Sequence, residues 1–160
     1  MVAQRFHYHR SLAPLVWVLV ALSVVELGVV HLLVALLWSG WIALALSLVA
    51  AGAIAWLVAL IGSFRRLPVE LDGDRLLMRV GFLASIALRR DQIRGQTDAF
   101  TADQVKARTV LRLSLVAFPN VMIELTEPVA RRRRRICAVV HRLDDRAAFA
   151  KAFAAWQAMT

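Results

Sequence analysis

Cysteine is nearly absent from the sequence: Cys137 is the only one, so no intramolecular disulfide can form and nothing indicates an oxidising compartment. Its expected role is that of a small apolar side chain in a strand. Spacing typical of a zinc site is also missing. His7 and His9 could hold a metal, but histidines that flank an apolar segment are more often part of a polar border. We therefore predict no metal site.

The sequence also lacks the patterns of catalysis. It has no glycine-rich phosphate loop, no nucleophile with a matched base and no pair of carboxylates placed for one pocket. We predict that the chain is not an enzyme and needs no cofactor.

Formal charge is almost missing from Ser11 to Phe64, where Glu26 is the only charged side chain. The whole chain is 60% hydrophobic and yet has a net charge of +9, so the basic excess lies outside this stretch. A lipid-soluble part is thus followed by a basic part of roughly a hundred residues, a usual size for one domain. We predict a basic N-terminus over residues 1–11, a helical hairpin over 12–64 and a domain over 65–160.

Two apolar runs fill the hairpin region. Leu12 to Trp38 and Trp41 to Ile61 each reach the length of about 20 residues that a transmembrane helix needs. Because only Ser39 and Gly40 separate them, the two helices must form a tight antiparallel hairpin. The first run is too long for a signal-peptide core and a second follows at once, so we expect no cleavage.

The flanks of the hairpin predict its orientation. Arg5 and Arg10 precede the first span, Arg65 and Arg66 follow the second, and the turn between the spans has no charge. By the positive-inside rule both termini are cytoplasmic, and the two tryptophans of the WSGW turn fit the aromatic belt at the other interface.

Small residues follow one face of each span. On the second span they recur every four residues, and on the first they are more widely spaced. We favour packing of these two faces against each other, while docking of a partner protein's helix on the longer stripe is the alternative. The residues are Ala43, Ser47, Ala51, Ala55 and Ala59 on the second span, and Ala21, Gly28 and Ala35 on the first.

Glu26 and His31 are the polar residues of the first span that need an explanation. A carboxylate near the middle of a span is costly and usually functional or paired, and neither span contains Lys or Arg. The two side chains lie roughly 140° apart around a helix, so we do not expect them to share a partner. We expect that Glu26 is protonated, or that it meets a donor from another subunit or a bound molecule, and the alternative is a neutral carboxyl that bonds a backbone carbonyl.

After Arg66 the hydrophobic pattern becomes alternating, which predicts about seven short strands. The first two are joined at Asp72-Gly73, a strong hairpin signal. Asp144 and Asp145 then predict the start of a closing helix, whose buried face carries Phe149, Phe153 and Trp156. The remaining strands are predicted at Ser85–Leu88, Gln92–Thr97, Val110–Val116, residues 121–126 and Arg135–Arg142, with a loop over residues 99–107.

This order of strands, turn and cap is carried by the segments RLPVELDGDRLLMRVGFLASIALRRDQI, PNVMIELTEPV and RICAVVHRLDDRAAFAKAF. It resembles a pleckstrin-homology-like (PH-like) barrel of antiparallel strands with a C-terminal capping helix. Nearly the whole chain resembles bacterial membrane proteins with two transmembrane helices before such an α+β domain. The resemblance implies a module for protein or lipid contacts on the cytoplasmic face of the bacterial inner membrane. Eukaryotic relatives bind phosphoinositides around the first hairpin loop, which here is acidic apart from Arg75.

Five consecutive arginines lie between the last two predicted strands: Arg131, Arg132, Arg133, Arg134 and Arg135. In an up-and-down meander this loop returns to the membrane end of the domain, beside Arg65 and Arg66. There each basic residue contributes about 1 kcal/mol of attraction to anionic headgroups. A solvated loop is the alternative, and nucleic acid is disfavoured because no recognition fold or stacking aromatic lies near the run.

We favour a membrane-anchored interaction module, an accessory or assembly subunit of a membrane complex. Its expected partners are anionic lipid headgroups and another membrane protein or a second copy of the chain. A different class of function is a small oligomeric transport or proton-handling unit that uses Glu26 and His31. A haem- or pigment-binding subunit with His31 as ligand is the third possibility.

Overall fold

The computed structural model describes residues 4–8, 10, 13–115, 117–131 and 133–159. Helix α1 (Ala13–Leu37) and helix α2 (Gly40–Arg66) form the expected hairpin, and both are long and apolar enough to cross a bilayer. The start of the first predicted span, Leu12, lies outside the described residues.

The contact face of the two helices differs from the predicted one. The least exposed positions recur in steps of three and four residues, which is the spacing of left-handed helix pairs. A stripe with steps of four drifts by about 40° per step, so it leaves the contact after two members. Ala43 and Ser47 therefore lie near α1, whereas Ala51, Ala55 and Ala59 are exposed. Ala21, Gly28 and Ala35 are exposed as well, and the contact is formed by Val16, Val20, Leu27 and Val34 of α1 and by Ala43, Ser47, Ala50, Ile54 and Leu57 of α2.

Helix α2 continues into the core of the domain. Its 27 residues span about 40 Å, whereas the hydrocarbon core of a bilayer measures about 30 Å. The excess is accounted for by the last two turns, because Leu60 and Phe64 are buried in the core of the domain. The second predicted span ended at Ile61, so its last turn belongs to the domain instead.

The first sheet contains β1 (Gln4–Phe6), β2 (Val69–Asp72), β3 (Arg75–Val80) and β4 (Ala84–Arg89), all antiparallel and in that order. The turn between β2 and β3 has Gly73 at φ 54°, as the Asp-Gly signal predicted. Strand β1 was not expected. It places the segment before α1 beside the first strand after α2, so both flanks of the hairpin belong to one sheet.

The second sheet has the order β5-β7-β8-β6, with β5 (Ile93–Thr97), β6 (Val110–Arg112), β7 (Val121–Arg131) and β8 (Arg134–His141). Strand β6 pairs parallel to β8, so the sheet is not the predicted up-and-down meander. Strands β5 and β6 run in the same direction on opposite edges, and such a change of edge needs a crossover of about a dozen residues. That crossover, residues 98–109, contains helix α3 (Ala102–Lys106) where a loop was predicted.

Helix α4 (Arg146–Gln157) closes the core as predicted. The Asp145 side chain accepts a hydrogen bond of 2.9 Å from the Ala148 N–H, which caps the helix. Phe149, Phe153 and Trp156 are buried among the core side chains of the two sheets. The fold is therefore a helical hairpin with a two-sheet domain and a C-terminal helix.

Candidate functional site

The turn between β3 and β4, residues Gly81 to Leu83, lies along α2. Gly81 has φ 50°, and a Cβ at this position would meet the Ser63 hydroxyl and would lie 2.9 Å from the Phe64 ring. The next residue, Phe82, is 50% exposed and makes an edge contact with Trp56 at 6.0 Å between ring centroids. We call the side of the domain that carries residues 81–83 the hairpin end, because it lies along helix α2 of the helical hairpin.

Tyr8 ties the N-terminal segment to the hairpin end. Its hydroxyl donates to the Leu67 carbonyl at 3.0 Å and accepts from the Gly81 N–H at 2.7 Å. The side chain is 1% exposed, and burial raises the pKa of Tyr8, although the hydrogen bond from Gly81 opposes that change. One hydroxyl thus joins the segment before α1, the end of α2 and the β3–β4 turn.

His141 packs beside Tyr8, with ring centroids 4.9 Å apart. Its ring nitrogens lie 2.8 Å from the Arg79 carbonyl and 2.9 Å from the Arg142 carbonyl. Burial lowers the pKa of His141, because desolvation of the imidazolium outweighs the two carbonyl contacts that favour it. This histidine is a core residue.

A groove of about 910 Å³ opens between α3, β6 and the tip of the β7–β8 hairpin, and we call it the basic groove. It also reaches Leu83, so it lies at the hairpin end. Among the described residues, no carboxylate lines the groove. The ion pairs found in the described part of the chain involve arginines that lie outside the groove. Its cations are Lys106, Arg108, Arg112, Arg131, Arg133 and Arg134, and its larger apolar side chains are Leu83, Val105, Val110, Leu111 and Ile136.

Arg131, Arg133 and Arg134 lie at the tip of the β7–β8 hairpin. Arg131 and Arg134 are register partners at this tip, and like charges directly opposite each other destabilise a strand pair. The Arg131 Nη1 atom is buried and has no hydrogen-bond partner, which costs about 1–3 kcal/mol for a polar group and more for a charged one. Both features leave positive charge at this tip without a described counter-ion.

The predicted headgroup contacts do not all reach the basic groove. Arg131, Arg133 and Arg134 line it, while Arg135 does not, because successive side chains of a strand point to opposite faces. Arg132 lies outside the described residues. Arg65 lines a separate groove of about 720 Å³ that also contains Asp144 and Asp145. Arg66 is exposed at the end of α2 and lines neither groove.

A cleft of about 330 Å³ lies between α1 and α2 and contains both polar residues of the first span. The His31 Nδ1 atom is 2.6 Å from the Ser47 hydroxyl. Glu26 and His31 line the same cleft, because a separation of about 140° places them at the two borders of one contact face. Within the described residues, Glu26 has no hydrogen bond or ion pair.

Half of the cations of the basic groove were not expected from the sequence. Lys106, Arg108 and Arg112 reach the groove only because the crossover carries them to the far edge of the second sheet. One local signal was available: in the stretch TADQ, Thr101 and Gln104 form a capping box that starts α3. No protein-family model, curated protein or solved structure matches this chain, so the role of the groove is argued from its own residues.

Proposed function

We propose that this chain is a membrane-anchored interaction module whose domain lies against the cytoplasmic surface of the bacterial inner membrane and contacts anionic lipid headgroups. It serves as an accessory or assembly subunit, with another membrane protein or a second copy of the chain as partner for the helices. One observation carries the proposal: the basic groove opens at the hairpin end, beside the turn that lies along α2.

The length of α2 supports this placement. About 20 residues precede the buried turn at Leu60, and they span about 30 Å, the thickness of the hydrocarbon core. Trp38 and Trp41 lie at the tip of the hairpin and Trp56 near the domain, which matches aromatic belts at two interfaces. Phe82, beside Trp56, then lies at headgroup level.

The domain itself supports a PH-like classification through its two packed sheets and closing helix α4. The added strand β1 and the parallel pairing of β6 with β8 depart from the expected barrel. The β2–β3 turn, with Asp72 and Asp74, lies at the other end of β3 from Gly81 and is acidic. Contact with an anionic surface is therefore favoured at the hairpin end.

The placement can be tested with the full chain in lipid nanodiscs. A fluorophore is attached at Leu83→Cys in a Cys137→Ser background, and quenching by phospholipids spin-labelled in the headgroup is measured. We expect strong quenching, because Leu83 is 43% exposed beside the turn that contacts α2.

The matched control is the same fluorophore at Asp74→Cys, whose native side chain is 71% exposed. Strand β3 separates the two positions by about 20 Å, so headgroup labels should quench Asp74→Cys much less. Equal quenching at the two positions would show that the hairpin end does not face the membrane surface.

The cleft between the helices favours a second candidate function, a proton-handling unit. Glu26 lines it without a partner among the described residues, beside the His31–Ser47 contact.

If the cleft moves protons, Glu26→Gln should abolish pH equilibration in proteoliposomes that contain a pH-sensitive dye, because an amide cannot exchange a proton at neutral pH. The variant Ser47→Ala should leave the Glu26 carboxyl able to exchange protons and should retain part of the flux. Flux that is the same with and without protein would exclude this function.

A further inference from the structure

We infer that the basic groove binds the headgroup of a phospholipid that carries two phosphates. This inference rests on the proposed function, since it names the ligand of a groove placed at the membrane surface. It adds three cations from the crossover and β6, namely Lys106, Arg108 and Arg112, to those of the arginine run.

The charge of the groove favours a headgroup with more than one phosphate. Six cations line it and no described carboxylate does, so the groove is a strong local source of positive potential. A headgroup with one phosphodiester brings only one negative charge to this potential. A lipid with two linked phosphates brings two negative charges. Only one molecule then loses its translational freedom on binding, whereas two separate headgroups would each lose theirs.

The origin of the cations fits two phosphates as well. They come from two chain segments, with Lys106, Arg108 and Arg112 on one and Arg131, Arg133 and Arg134 on the other, and both segments line the same groove beside the β6–β8 pair. Arginine binds phosphate oxygens through two parallel N–H donors, so each segment can hold one phosphate. The unpartnered Nη1 atom of Arg131 supplies a buried donor for one of them.

The size and lining of the groove favour a lipid over a small soluble anion. A volume of about 910 Å³ lies near the upper end for ligand pockets, which are usually about 300–1,000 Å³. Five larger apolar side chains line it, and Leu83 places its rim at the lipid-facing turn. Glycerol and the first acyl carbons can cover this apolar surface, whereas a free polyphosphate cannot.

The test is native mass spectrometry of the full chain in mild detergent, titrated separately with diphosphatidylglycerol, phosphatidylglycerol and phosphatidylethanolamine. The groove variant carries Arg108→Gln, Arg112→Gln and Arg131→Gln. The control variant carries Arg75→Gln, Arg94→Gln and Lys151→Gln, three exposed residues outside the groove, and removes the same charge. Diphosphatidylglycerol should bind the native chain more tightly than two equivalents of phosphatidylglycerol do.

In the groove variant, the Kd for diphosphatidylglycerol should rise roughly 100-fold, because three basic residues at about 1 kcal/mol each correspond to about 3 kcal/mol. The control should change less than about twofold, because its charges are distant and screened. A second groove variant, Arg133→Gln with Arg134→Gln, changes exposed residues only and should weaken binding in the same direction.

Three results would overturn the inference: equal weakening in the control, equal affinity for phosphatidylglycerol, or displacement of the lipid by equimolar pyrophosphate. The last would identify a soluble phosphate compound as the ligand. Each can occur while Leu83→Cys remains quenched by headgroup labels, so failure here is separable from failure of the proposed function.

Discussion

Replacing Tyr8 by alanine is expected to lower the free energy of unfolding of the domain by about 3–5 kcal/mol, the usual cost of removing a buried aromatic side chain. The residue precedes both helices in the sequence, yet it is 1% exposed and its ring contacts Phe64 at 5.9 Å and His141 at 4.9 Å. Pulse proteolysis of the full chain in detergent across a urea gradient measures the change.

Two companion variants separate the causes of this loss. Tyr8→Phe retains the ring but leaves the Gly81 N–H and the Leu67 carbonyl without the hydroxyl, which should cost about 1–3 kcal/mol. Gln4→Ala changes an exposed residue of β1 and should stay within about 0.5 kcal/mol of the native chain. If Tyr8→Ala were as stable as Gln4→Ala, the N-terminal segment would not be part of the core.

Gly81→Ala is expected to have the second large effect, about 2–5 kcal/mol of destabilisation. A positive φ costs a non-glycine residue about 1–2 kcal/mol, and forced overpacking adds about 1–3 kcal/mol. At Gly81 both terms apply, since φ is 50° and the new Cβ would press on Ser63 and on the Phe64 ring at 2.9 Å. The same proteolysis assay reports the loss.

Gly73→Ala is the matched control for this substitution. Gly73 has nearly the same backbone conformation, φ 54°, but a Cβ there would have nothing within 4 Å. We therefore expect only the conformational cost, about 1–2 kcal/mol. The difference between the two glycines measures how tightly the β3–β4 turn packs on α2, and equal losses would mean that this contact is loose.

The parts of the fold that depend on neighbouring residues could be predicted from the sequence. The Asp-Gly turn, the cap at Asp145 and the aromatic face of α4 each depend on a few consecutive residues, and all three are confirmed. The two apolar helices could be predicted equally well, because an apolar run of this length rarely forms anything other than a long helix.

The parts of the fold that depend on distant residues could not be predicted from the sequence. Strand β1 has only three residues and is set by pairing with a strand more than sixty residues later, as in Gln4 with Leu71. The parallel placement of β6 follows from a crossover whose path carries no local signal beyond the cap of α3. Half of the basic groove depends on that crossover, so the sequence indicated the arginine run but not the cations that face it.

The helix contact illustrates the same limit within the hairpin. A stripe of small residues is a local pattern, but which face of a helix meets its neighbour depends on the side chains of both helices. Here Val20 and Leu27 of α1 and Ile54 and Leu57 of α2 are among the less exposed positions, and most of the alanine stripe is left on the outside.

The pairing of β1 with β2 has a consequence for biogenesis. The ribosome makes β1 before both helices and β2 after them, so the sheet can be completed only when the whole hairpin has been synthesised. A chain in which only one helix crosses the bilayer leaves these two strands in different compartments, and Tyr8 then cannot reach Leu67 and Gly81. The core can therefore close only in a chain whose two flanks of the hairpin lie in the same compartment.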